Sequence, residues 1–265
     1  MFVRATKIAP MAARAGKGSR VVTAPRVDAA QRVVDLLRAL RDARDPKVDP
    51  RNELPRLVEL RGWQARRLAE CFADLSDDPR HADAAEFFLT DLYGEHDVSW
   101  RARDLERMLP TLRRWLPVAM LETVADALAL DLLSQQLDLA LAEAHEALTG
   151  PRAEIDERNY AQAYRTAGTR ADRERQIDLI RTVGEDLDAI VRKPLVFTIL
   201  RLARGPAARA GLGQLQSFLE RGFGAFRTMG GAEEFLDTIE GREREVMRRL
   251  YANHPQPFDV CNRVS

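Results

Sequence analysis

The chain has 265 residues, 45% of them hydrophobic, and its 41 basic and 41 acidic side chains leave a formal net charge of zero. That apolar content suffices for a sizeable core without metals or disulfides, and the charge balance gives no global field to draw in nucleic acid or anionic membrane. No stretch approaches the roughly 18 uncharged apolar residues that a membrane-spanning helix needs. Two cysteines, Cys71 and Cys261, form no CxxC zinc or redox motif and supply no disulfide framework, a pattern that fits a reducing cytoplasm.

In chain order, residues 1–27 carry Arg4, Lys7, Arg14, Lys17, Arg20 and Arg26 and no acid. They read as a disordered basic leader, with Met11 as another start; the sharper reading is a tail that touches RNA or lipid headgroups. The apolar run near Ile8 is interrupted by Pro10 and is too short for a secretory signal. From there on, apolar residues return at helical spacing and no run alternates with period two over a strand length. A first helix is expected to open at Asp28, with Gln31 completing a capping box. Asp45 to Pro50 holds two prolines and reads as a linker. A second helix is expected over Asn52 to Leu75, and a third from the Asp78-Pro79 start to Gly94. A fourth spans Asp97 or Ser99 to Leu116, kinked at Pro110.

The fifth helix, Pro117 to Thr149, is the longest and ends at Gly150-Pro151. Helix six ends at Gly168. Helix seven spans Thr169 to Val191, and helix eight runs from Pro194 to Ala203, closed by Gly205-Pro206. Helix nine runs to Met229 and stops at Gly230-Gly231, after which helix ten carries Phe235, Leu236, Ile239, Val246, Met247 and Leu250. The expected architecture is an all-α bundle of about ten helices without a significant sheet. It forms one domain over residues 28–252, admits a division near residue 150, and is followed by an extended tail over residues 253–265.

Helix five carries the first candidate chemistry. Its leucines cover more than half the cylinder, and Asp131, Ser134, Gln135, Asp138 and His145 share the remaining sector. Facing inward, two carboxylates and an imidazole would line a pocket suited to a metal or to acid–base work; facing outward, they would be the solvent strip of a buried helix. A second candidate lies where Tyr93, Asp97, Arg101, Asp104 and Arg107 surround Gly94. Asp104 can pair with an arginine on either side, which suits a rigid helical corner; alternatively Tyr93, Arg101 and Arg107 would hold an anionic ligand. Phe218, Gly222 and Phe226 share a face, so that Gly222 admits either a neighbouring helix or a flat ligand between two rings. The four histidines form no Glu-x-x-His pair, and no HExxH, phosphate-binding loop or GxSxG elbow occurs. A single axial histidine would serve a haem, but nothing singles one out, and no metal or cofactor is expected.

The text Phe87-Phe-Leu-Thr-Asp-Leu-Tyr-Gly94, followed by Asp97 and by Arg101 to Asp104, resembles the signature of a bacterial protein family named for an FFLEE motif. The likeness runs from Leu60 to Leu116 and includes Trp63, Arg67 and Asp74. Thr90-Asp91 stands where the family has Glu-Glu. The resemblance implies a shared fold unit and no chemistry. Without a catalytic motif, the reading is a non-catalytic binding or scaffolding protein of the bacterial cytoplasm, with a protein partner or a second copy of itself and no nucleic acid. The alternative is a helical enzyme or sensor with an interior small-molecule or metal pocket.

Overall fold

The computed structural model describes residues 25–92, 104–108 and 117–261. Eleven α-helices and no strand occur among them, the all-α architecture that the apolar spacing predicts. In chain order they are α1 (Pro25–Arg44), a 3-10 turn (Pro50–Glu53), α2 (Pro55–Cys71), α3 (Ala73–Asp77) and α4 (Ala82–Glu86), which runs into a π-helical turn (Phe87–Leu92). There follow α5 (Val118–Thr149), α6 (Glu157–Thr166), α7 (Arg170–Val191), α8 (Pro194–Leu202), α9 (Arg204–Arg209), α10 (Gly213–Met229) and α11 (Glu233–Tyr251).

Helix α5 is the axle, because an apolar arc so wide must be covered on several sides. Its 32 residues span about 48 Å at 1.5 Å per residue. Helix α1 runs parallel to it: Arg32 reaches Glu122 and Asp126, and Arg44 reaches Asp131. Helix α7 runs antiparallel, since Thr123 donates to Asp186 near its end and Gln176 donates to Ser134 nearer its start. Helix α2 is antiparallel as well, with Arg61 at Gln135 and the buried Arg56 donating to the carbonyls of Gly150 and Ala153 just past the end of α5. Arg56 thus supplies donors where the helix leaves carbonyls without partners. Gly150 turns the chain there at φ +85°.

Two large apolar clusters form the core, the first including α5 and the second built without it. One joins Leu57 and Leu60 of α2 to Leu139 and Leu141 of α5, Tyr160 and Tyr164 of α6, and Leu250 of α11. Trp63 stacks on Tyr160 with ring centroids 4.2 Å apart. The other joins Phe72, Phe87 and Phe88 to Phe226 and Met229 of α10 and Phe235 and Ile239 of α11.

Several expected boundaries move, each for a local reason. Helix α1 opens at Pro25 rather than Asp28, proline being suited to a first helical position, and Gln31 bonds Asp35 instead of closing a capping box. The single helix expected over 52–75 begins at Pro55 and breaks at Phe72. There Arg242 takes the carbonyl of Cys71 at 2.6 Å, so that carbonyl has a partner outside its own helix. Asp78-Pro79 makes a turn, closed by the Asp78 carboxylate on the amide of Arg80, and the helix proper starts at Ala82. Gly205-Pro206 does not end helical structure; the proline sits in the first turn of α9, where its missing N–H costs nothing. Gly94, Ser99 and Pro110 lie outside the described residues.

The tail expected to be extended folds back in turns and buries Phe258 against Trp63 and Tyr160. Within it Cys261 forms a disulfide with Cys71, which corrects the expectation that the two cysteines supply no disulfide.

Candidate functional site

The polar sector of α5 becomes a seam. Asp131 accepts from Arg44 at 2.5 Å. Gln135, 3% exposed, accepts from Arg61 at 2.5 Å and donates to Asn52 at 2.7 Å. Asp138 accepts from the same Arg61 at 3.2 Å. Asp131, Gln135 and Asp138 therefore lie along one line of contact with α1, the 3-10 turn and α2. Each carboxylate meets a guanidinium, which offsets the cost of removing it from water.

His145 stands apart at the far end of α5 and is fully buried. Its Nε2 lies 2.8 Å from Asn159 Oδ1. The Asn159 amide is oriented by the backbone: its Nδ2 donates to the Glu154 carbonyl and its Oδ1 accepts from the Asp156 amide. An oxygen so placed needs a donor, so Nε2 carries the proton and Nδ1 faces the Thr149 hydroxyl. The imidazole is a strut that ties α5 to the capping box at the start of α6.

At the second candidate site, Asp104 is buried and Arg107 Nη1 lies 3.8 Å from it, the expected pairing three residues apart. Arg107 also donates to the Ala210 carbonyl at 2.9 Å. Tyr93, Asp97 and Arg101 lie outside the described residues. No described contact brings Asp104 or Arg107 to the α5 seam.

The Phe87-Phe-Leu segment docks on α10. A Cβ on Gly222 would stand 2.7 Å from Phe87 Cζ, so the glycine is the slot into which that ring fits. Phe87 also meets Phe218, with centroids 5.2 Å apart, Phe88 packs edge-on to Phe72, and Asp91 pairs with Arg221. A ring from the chain's own motif occupies the place where a flat ligand was the other expectation.

Helices α2 and α3 are clamped to α11 by charge. Arg242 holds Asp74 with two bonds of 2.6 Å, which draws the carboxyl below its ordinary range. Arg67 pairs with Glu243; burial opposes its charge, but the carboxylate prevails and its pKa is raised. Burial raises the Tyr160 and Tyr164 hydroxyls. Arg173, buried, lies 4.5 Å over the Tyr164 ring.

The corner formed by α8 and α9 is different in kind. No residue from Val191 to Gly211 is buried, although α8 reads Pro-Leu-Val-Phe-Thr-Ile-Leu-Arg-Leu. Leu195, Ile199 and Leu202 fall at i, i+4 and i+7 on one face and are 71%, 63% and 74% exposed. The opposite side is held to α10: Arg227 lies 4.8 Å over the Phe197 ring, and Gln216 donates to the Leu200 carbonyl at 2.6 Å. A cleft of about 350 Å³, lined by Asp188, Pro194, Phe197, Phe226 and Arg227, opens at its base. Another of about 600 Å³, lined by Arg80, Gly231, Glu234 and Asp237, shares Arg192 with it. None of the residues expected to form a pocket lines either cleft.

In sequence, an apolar helix of nine residues is indistinguishable from a core helix, and no site residue is expected on it. The missed signal is charge: between Asp188 and Glu220 there is no acid, and the basic residues are Arg192, Lys193, Arg201, Arg204 and Arg209.

Among the described residues, fold and site together define an all-helical protein with a charge-stitched interior and an exposed apolar ridge on α8. No helix is long and apolar enough to cross a membrane, and no group of three or more His, Cys, Asp or Glu side chains suits a metal, both among the described residues. Residues 43–257 match the family described as Domain of unknown function (DUF8198), and the chain belongs to that family. No curated protein and no solved structure matches it.

Proposed function

We propose that this is a non-catalytic helical binding protein whose docking face is the α8–α9 ridge. The observation that carries the reading is the exposure of Leu195, Ile199 and Leu202 on a helix that buries none of its residues. A cluster of large aliphatic side chains in water is unfavourable unless something covers it. The reading also draws on the α5 seam, whose Asp131, Gln135 and Asp138 already have partners. An enzyme or sensor with an interior pocket has less behind it, because His145 and the seam carboxylates serve as struts. The FFLTDLYG text supports kinship with the bacterial FFLEE-motif proteins, whereas the Cys71–Cys261 bridge removes the ground for a reducing cytoplasm.

A photo-crosslinking residue in place of Ile199 tests the reading, with Val58, an isolated side chain 67% exposed on α2, as the control position. Adducts at position 199 and none at position 58 are expected in cells. Equal labelling at both positions, or none at position 199, overturns a specific face.

A further inference from the structure

Granting that α8–α9 is a docking face, its chemistry also specifies the partner. We propose that the ridge lies on an anionic lipid surface, with Leu195, Ile199 and Leu202 in the acyl boundary and the basic residues beside them at the headgroups.

Shape argues first. A partner helix needs an apolar groove to lie in, and Leu195, Ile199 and Leu202 line neither of the two clefts, so the aliphatic face stands as a ridge beside the cleft at its base. A ridge needs a surface that closes around it, as a fluid bilayer does. Three aliphatic side chains on one helical face, each more than 60% exposed, match an interfacial helix whose apolar side enters the bilayer by about 5–10 Å.

Charge argues second, and independently. The whole chain is neutral, yet the 31 residues from Ala189 to Leu219 hold five basic groups and no acid. Arg192 and Arg204 are held by Asp188 and Glu220, which bracket that stretch. Lys193, Arg201 and Arg209 are exposed. Positive charge in the same exposed segment as the apolar stripe is attracted to anionic headgroups, gains nothing from neutral ones and is repelled by cationic surfaces. The site is peripheral, in keeping with the lack of a spanning helix among the described residues.

The test is sedimentation of the full chain with phosphatidylcholine vesicles, with and without phosphatidylglycerol, at low and raised salt. Binding is expected to the anionic vesicles alone and to weaken with salt. The variant L195S/I199S/L202S, altered only at exposed positions, should lose at least about a hundredfold in partitioning. R201Q/R209Q, which leaves the apolar stripe intact, should lose about 25-fold, near fivefold for each charge. Equal affinity for neutral vesicles, no sedimentation, or an unaffected triple variant overturns the lipid assignment. If vesicles fail but position 199 still crosslinks to a protein or to a second copy, the docking face stands and only its occupant was misassigned; if position 199 labels nothing, both readings fall.

Discussion

Two regions of this molecule use the same residue types in opposite ways. Where α2, α3, α6 and α11 meet, arginines are turned inward: Arg242 holds Asp74, Arg67 holds Glu243, and Trp63, Tyr160 and Phe258 pack near the Cys71–Cys261 bridge. At α8–α9 the arginines point outward and the leucines with them. The first arrangement fixes helices relative to one another. The second holds its inner side to α10 but leaves Leu195, Ile199 and Leu202 exposed, and the proposed docking face rests on that difference. Composition alone does not separate the two; the partner of each side chain does.

The sharpest way to break this contrast is to empty the clamped region. Phe72, 1% exposed, packs against Phe88 and under Arg242. Phe72→Ala should cost about 3–5 kcal/mol in denaturant unfolding. A loss under about 1 kcal/mol would mean the cluster is looser than the contrast requires. Next is the bridge: reducing Cys71–Cys261, or Cys261→Ser, should lower stability by about 2–4 kcal/mol, or roughly 5–15 °C in Tm. Thiol alkylation before and after reduction checks that the bridge is the cause. Gly222→Ala places a methyl group 2.7 Å from Phe87 Cζ and should cost about 1–3 kcal/mol, partly recovered by Phe87→Leu in the same chain.

A smaller effect concerns pH. Arg242 lowers the Asp74 carboxyl, and Arg248 and Arg249 hold Glu245 down to about 2. A depressed carboxyl binds fewer protons folded than unfolded, so its contribution is complete above the ordinary carboxylate range. It is lost as pH falls from about 4.5 toward 2. Tm should decline through that window, and Arg242→Gln should flatten the Asp74 share. Smallest of all, L195S/I199S/L202S should leave stability within about 0.5 kcal/mol, as expected for exposed side chains that support nothing. A larger loss would show that α8 belongs to the clamped region after all.

How far the sequence was legible varies along the chain. Helix α5 and the Thr169 start and Gly230 stop of their helices were readable, because periodicity and capping are local properties. The Asp131, Gln135 and Asp138 sector was recognised as one polar line, but its partners lie 74 to 92 residues away and no spacing rule names them. The Gly222 slot was seen as a close approach, while the ring that fills it comes from Phe87, far off in the chain. The break at Phe72 could not be foreseen, since α2 ends where Arg242 captures a carbonyl.

The sequence by itself determined that this chain is helical and where most helices stop, because apolar return every three to four residues, prolines and glycines act within a turn of the backbone. Only the tertiary structure decided which apolar faces are covered. That depends on distant segments meeting: Cys71 with Cys261, Phe87 with Gly222, Arg61 with α5, and, among the described residues, none that buries Leu195, Ile199 and Leu202. Covered and uncovered apolar helices look alike in one dimension, since burial is a property of neighbours and not of residue types.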